Sequence, residues 1–138
     1  MNHRCERILR LYMNHRSTEA LTECYALLKP SILQEHHGDV ELASFLLVIG
    51  CVCHLKVSPS VAQDFYRAVL ELLSDSSYCP VFLIALFNLS SAVFSADHGK
   101  IEEAKSLHGQ LLSKMKDRSS CKQLWKGIHA QHRKLYGF

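Results

Sequence analysis

The sequence predicts an all-α protein built from about three stacked pairs of helices. Three observations support this fold class: the composition, the signals that start and stop helices, and a regular spacing between equivalent helices. Of the 138 residues, 48% are hydrophobic, and only six are glycine and three proline. This composition favours one packed helical domain with its own core over a disordered chain or a β-sandwich.

The first half of the chain carries signals for four helices. Residues 5–13 form a short amphipathic segment, and Ser17 is a suitable N-cap for a helix over 17–28. Pro30 opens a short continuation to residue 35, because proline is favoured in the first turn of a helix. After the break at 36–38, Asp39 is a suitable N-cap for a helix that reaches about residue 55.

The second half carries signals for four more helices. Ser58 and Pro59 supply a cap and a first-turn residue for a helix that ends near residues 74–77. Pro80 begins the next helix, which reaches Ala96 before the break at 97–99. Two final helices are predicted over residues 100–116 and 120–136.

The predicted helix starts recur at a regular interval. Starts at 17, 59 and 100 form one series and starts at 39, 80 and 120 form another, each with steps of 40 to 42 residues. At an offset of 42, Ala20 aligns with Ala62 and Ala104. A period of this length is typical of helical solenoids with two or three helices per unit. The predicted units are an N-terminal helix over 1–16 and repeats over 17–58, 59–99 and 100–138.

The segment ALFNLSSAV at residues 85–93 is similar to the Ala-Leu-x-Asn-Leu core of an armadillo third helix. On this motif and the period, the chain resembles the armadillo/HEAT superfamily, which implies a right-handed α-solenoid. The resemblance implies a partner-binding role for Asn88, since the equivalent amide contacts the peptide backbone in peptide-binding armadillo proteins. Ile84 stands where those proteins have tryptophan, and Leu46 occupies the equivalent of Asn88 one repeat earlier. A structural amide that is satisfied within the repeat is the alternative interpretation of Asn88.

Residues 76–96 contain no charged side chain, and their length is close to the roughly 20 residues that cross a bilayer. A small membrane-anchored protein is therefore one interpretation. The run nevertheless contains Pro80, Asn88 and five serines. In stacked helix pairs, a helix that is covered on all sides is hydrophobic all round, which predicts a core helix here and no membrane span.

Charge is distributed unevenly along the chain. Residues 1–99 contain 7 Lys and Arg against 10 Asp and Glu, whereas residues 100–138 contain 9 against 3. Basic side chains near aromatic ones can hold phosphates and stack bases, or can bind an acidic protein segment. A charged end that only keeps the last repeat soluble is the alternative. The candidate partner-binding residues in this region are Lys122, Trp125, Lys126, Arg133 and Lys134.

Nine histidines and six cysteines raise the question of a metal site or a nucleophile. The chain contains no CxxC or HExxH motif, and the densest cluster is Cys51-Val52-Cys53-His54. On a helix, Cys51 and His54 share a face from which Cys53 points away, so three ligands do not converge there. No phosphate-binding glycine loop and no nucleophile elbow occur either. The sequence therefore predicts no metal, no cofactor and no enzyme.

The N-terminal segment MNHRCERILRLYMNHR is too charged for a secretory signal peptide. This predicts reduced thiols and an intracellular location, in the cytoplasm or the nucleus. The predicted function is a scaffold or adaptor that binds a helix or extended segment of a partner protein. A nucleic-acid-associated module that uses the basic C-terminal helices is the alternative.

Overall fold

The computed structural model describes residues 1–76, 79–97, 100–116, 126–130 and 133–134. Within these ranges the regular structure is helical and no strand occurs, which confirms the all-α prediction. Ser74–Ser76 forms a single 3₁₀ turn, and residues 126–130 and 133–134 are also helical. The longer helices are α1 (Asn2–Met13), α2 (Ser17–Ala26), α3 (Pro30–Glu35), α4 (Val40–Lys56), α5 (Pro59–Leu72), α6 (Pro80–Ala96) and α7 (Ile101–Lys116).

Two of the three predicted side-chain caps are present. The Asp39 carboxylate accepts a hydrogen bond from the Leu42 backbone N–H at 3.1 Å, and the Ser58 hydroxyl accepts one from the Val61 N–H at 3.2 Å. The prediction that Ser17 caps α2 is wrong, because Arg16 is the N-cap and Ser17 is already helical. The Arg16 guanidinium instead forms an ion pair with Glu19 in the first turn of that helix.

Consecutive long helices pack against each other along the chain: α4 packs on α5, α5 on α6, and α6 on α7. Helix α4 also contacts α6 directly, so α4 and α6 are neighbours in one row. The Tyr25 and Phe65 rings connect α2 to α5 at 5.2 Å between centroids. The arrangement therefore has α4 and α6 on one side and α2, α5 and α7 on the other.

One continuous hydrophobic core runs from α1 to Ile128. Helix α6 contributes seven buried residues to it, among them Leu89 and Val93, as predicted for a core helix. In the described part of the chain, no helix combines the length and apolar character that crossing a membrane requires. The uncharged run is therefore accounted for by packing between α5 and α7.

Helices α4 and α5 approach each other closely at Gly50. A Cβ atom at this position would lie 2.6 Å from Cε1 of the Tyr66 ring, which is closer than non-bonded atoms pack. Tyr66 is itself 1% exposed, so the ring has little room to move away. Glycine thus allows the α5 ring to lie directly on the α4 backbone.

Candidate partner-binding surface

The outward side of α4 carries an apolar stripe, which we call the α4 stripe: Phe45, Val48, Val52 and Leu55. Val48 is 58% exposed and Leu55 is 83% exposed, while Phe45 and Val52 are half-buried. Between Glu41 and Lys56 the helix contains no Asp, Glu, Lys or Arg. Large apolar side chains that are exposed together on one surface mark an interaction site more often than single exposed ones do.

The outward side of α6 adjoins this stripe and is also uncharged. Ile84 is 50% exposed, Ser95 is exposed, and Asn88 and Ser91 are half-buried. We refer to the α4 stripe together with these four residues as the α4–α6 surface. Its only strongly apolar position on α6 is Ile84, so the α4 half is the more hydrophobic.

Asn88 lies in the valley between the two helices. Its Nδ2 donates a hydrogen bond to Sγ of Cys51 on α4, at 3.4 Å. The amide therefore has a partner within the protein and is still half-exposed to solvent. This geometry accommodates both sequence interpretations, because an amide has two N–H groups and a carbonyl with which to bond.

The Cys51 thiol also forms a hydrogen bond with the Tyr66 hydroxyl. The pKa of Tyr66 is raised above its usual range, mainly by burial and to a smaller extent by the hydrogen bond with the Cys51 thiol. The phenol therefore remains neutral at physiological pH, and the floor of the valley contributes no charge. A partner that enters this valley meets amide, hydroxyl, thiol and hydrocarbon groups.

At the basic C-terminal end, the predicted residues Lys126, Arg133 and Lys134 are exposed. Ile128 is 8% exposed and joins the core, as expected for the inward side of an amphipathic helix. The other two candidates, Lys122 and Trp125, lie outside the described residues. The structure thus gives three of the five basic-end candidates a solvent-accessible position.

The side of the molecule opposite the α4–α6 surface carries charged side chains that form bonds between helices. The Tyr25 hydroxyl of α2 donates to the Asp64 carboxylate of α5 at 3.2 Å, and Arg67 of α5 pairs with Glu103 of α7 at 2.7 Å. These partners are 36 to 39 residues apart in the sequence. Sequence reasoning missed both contacts, since neither a local pattern nor a charge count reveals them.

The two buried thiols, Cys24 and Cys53, offer little nucleophilic chemistry. Burial, with a smaller contribution from nearby Cys53, raises the pKa of Cys24 to about 12. Burial also raises the pKa of Cys53. Since the thiolate is the reactive form, both groups are inert near neutral pH. Among the described residues, no group of three His, Cys, Asp or Glu side chains has the geometry to hold a metal ion.

The sequence did not reveal the α4 stripe, because a helix that is apolar all round is typical of a core helix. A signal was present in the spacing: positions 45, 48, 52 and 55 alternate steps of three and four residues, with charges only beyond them.

Comparison of the chain with protein-family models, curated proteins and solved structures finds no match.

Proposed function

We propose that this protein is a non-catalytic interaction module whose α4–α6 surface binds a helix or extended segment of a partner protein. The observation that carries the proposal is the exposure of Val48, Leu55 and Ile84 on two adjacent helices without a charge between them. Depletion of charge at the centre of a surface patch is typical of protein interfaces. Because packed helices present the patch, a partner binds with little ordering cost on this side.

The proposed architecture is a right-handed solenoid of three helix-pair repeats, similar to armadillo and HEAT proteins. Support comes from burial at equivalent positions: Ala20, Ala62 and Ala104 are at most 3% exposed. Ala43 and Ala85 form the corresponding pair in the other helix series and are both fully buried. A small residue that recurs at one register lets successive helices approach closely, and stacked repeats require this at each layer.

Within this proposal, Asn88 supplies directional contacts. A half-buried amide beside apolar side chains favours a partner that places a backbone or polar group at that level. The basic end would add attraction for acidic residues in the partner, through Lys126, Arg133 and Lys134, together with Lys122 and Trp125. The expected ligand is therefore an uncharged apolar segment followed by acidic residues, met in the cytoplasm or nucleus.

The test compares partner capture by the immobilised wild-type chain and by two variants. Ile84→Asp places a charge in the centre of the surface and should remove specific partners that mass spectrometry identifies with the wild type. Ser60→Asp is the matched control, because Ser60 is exposed on α5, on the opposite side. We expect the control to retain the partners, and both variants to keep the wild-type circular dichroism spectrum.

The affinity of a fragment of the identified partner is then measured by calorimetry. We expect Ile84→Asp to weaken binding by about tenfold or more, equivalent to at least about 1.4 kcal/mol. Asn88→Ala should weaken it less, because hydrogen bonds at a half-exposed site contribute about 0.5–1.5 kcal/mol. Equal affinities for wild type and folded Ile84→Asp would refute the proposed surface.

The second candidate function is nucleic-acid binding, which the exposure of Lys126, Arg133 and Lys134 favours. Fluorescence anisotropy with random-sequence DNA and RNA oligonucleotides tests it directly. We expect no appreciable binding at physiological salt. Sub-micromolar binding that falls with salt by a log–log slope of about −0.7 to −0.9 per phosphate contact, and is lost on charge reversal, would establish this alternative.

A further inference from the structure

The α4 stripe has the spacing of a helix-pairing seam. Its four positions are separated by three, four and three residues, which is the heptad alternation of two helices packed side by side. The opposite side of α4 is buried in the molecule's own core through Leu46 and Gly50. Helix α4 therefore has two apolar sides, and intramolecular packing covers the second one only in part, through Phe45.

The neighbouring helix shows that an outward seam need not be apolar in this fold. Ile84, Asn88, Ser91 and Ser95 occupy the same alternating spacing on α6, and three of these four are polar. The α4 stripe contains phenylalanine, two valines and leucine at its four positions. Of these two neighbouring helices, only α4 has a hydrophobic outward side, and its heptad spacing points to a helix as the occupant.

The charges at the two ends of α4 indicate what kind of helix would bind the α4 stripe. Glu41 lies in the first turn and Lys56 is the last residue of α4, about 22 Å apart along the axis. Both are exposed, and neither forms an ion pair among the described residues. A helix that fits this stripe should be apolar in the middle, basic near Glu41 and acidic near Lys56. Helix α4 of a second copy of this chain has this pattern when it runs antiparallel to the first.

We propose that two copies of this chain form a homodimer by antiparallel pairing of their α4 stripes. With the axis of symmetry at the level of Gly50, Phe45 lies opposite Leu55 of the second copy and Val48 lies opposite Val52. Glu41 then lies within one helical turn of Lys56 of the second copy, and the symmetry makes this contact twice. Parallel pairing would instead bring Glu41 beside Glu41 and Lys56 beside Lys56, which like-charge repulsion opposes.

The dimer buries the α4 stripe, which is the α4 half of the proposed partner-binding surface, so a partner of the dimer would bind through Ile84 and Asn88 on α6 and through the basic end. The experiments still distinguish the two proposals, because only partner binding is expected to depend on Ile84. A monomeric chain that still binds an Ile84-dependent partner would refute only the dimer. A dimer that binds no partner would refute only the interaction-module proposal.

The experiment is sedimentation equilibrium of the purified full chain, whose monomer mass is 15.7 kDa. We expect twice this mass at micromolar concentration. Val48→Glu introduces a charge at the centre of the seam and should raise the dimer dissociation constant by about tenfold or more. The matched control is Ser60→Glu, on the opposite side of the molecule, which should leave the constant unchanged.

A charge exchange tests the antiparallel register. Glu41→Lys and Lys56→Glu should each weaken the dimer, because each variant places like charges opposite one another. The double variant should restore it. Both substitutions also put the wrong charge at an end of α4 with respect to the helix dipole, so recovery in the double variant cannot result from a more stable helix.

Thermal unfolding verifies that each variant is folded before its mass is interpreted. A folded wild-type chain that remains monomeric up to about 100-fold above micromolar concentration, where a specific dimer of this kind should form, would overturn the proposal. A folded double variant that fails to recover association, after both single variants lose it, would overturn the antiparallel pairing.

Discussion

Helices α4 and α5 pack directly against each other, yet their outward sides are opposite in character. The outward side of α5 carries Asp64 and Arg67, which bond to side chains of α2 and α7. The outward side of α4 carries the α4 stripe, where Val48 and Leu55 are mostly exposed. Both helices bury a full apolar side in the same core, so the exposed side of α4 is more hydrophobic than its fold requires.

The difference shows that hydrophobic residues in this chain occupy two kinds of position, the buried core and an exposed surface. The overall composition does not distinguish the two. Positions that face the shared core, such as Leu46 and Phe65, are fully buried and stabilise the helix pairs. Positions in the α4 stripe remain in contact with water in the isolated chain. Substitutions on the buried side, the exposed side and the charged side should therefore have effects of different size.

The largest effect is expected at the α4–α5 contact itself. Ala62 is fully buried in α5, and Ala62→Leu would insert three carbon atoms where the neighbouring helices approach. Overpacking of this kind destabilises by about 1–3 kcal/mol, which urea unfolding followed by circular dichroism measures. Ser60→Leu, two residues away and exposed, is the control and should change stability by less than about 0.5 kcal/mol. Equal stabilities for Ala62→Leu and the control would contradict the close packing described for α5.

An intermediate effect is expected from the two cysteines of α4. Cys51 is half-buried below the α4–α6 surface, whereas Cys53 is 3% exposed and its pKa is raised by burial. At pH 8 a disulfide reagent should therefore modify Cys51 faster than Cys53 by about tenfold or more, since Cys53 becomes accessible only when the structure opens.

Comparison of reaction time courses assigns the two thiols. Cys51→Ser should remove a faster phase that Cys53→Ser retains, and Cys53→Ser should remove a slower one. The reverse assignment would show that the two sides of α4 are exchanged relative to the description above. Unfolding in urea should make both thiols react at similar rates, because burial no longer distinguishes them.

The smallest effect is expected on the charged side. Arg67 and Glu103 form an exposed ion pair between α5 and α7, with side chains 48% and 39% exposed. A double-mutant cycle with Arg67→Ala and Glu103→Ala should give a coupling energy of about 0.2–1 kcal/mol that decreases with added salt. A coupling above this range, or one insensitive to salt, would mean that the pair is less solvated than its exposure indicates.

The sequence located most of the helix boundaries because their causes are local. Asp39 and Ser58 cap α4 and α5 through bonds to backbone groups three residues away, and Pro80 begins α6. Ser17 is not the cap because it is already the first helical residue, and Arg16 occupies the N-cap position and pairs with Glu19. Helix α1 starts at Asn2, three residues before the predicted start at Cys5, which is a difference of less than one turn.

The sequence by itself determined that the chain is all-helical, where most helices begin and end, and that α6 lies in the core. These properties follow from interactions between residues a few positions apart and from the hydrophobicity of single segments. Only the tertiary structure decided that Asn88 bonds to Cys51, that Arg67 meets Glu103, and that one side of α4 stays exposed. A helix that is apolar on every side has no preferred inward side of its own, so the helices packed around α4 determine which of its side chains are left for a partner.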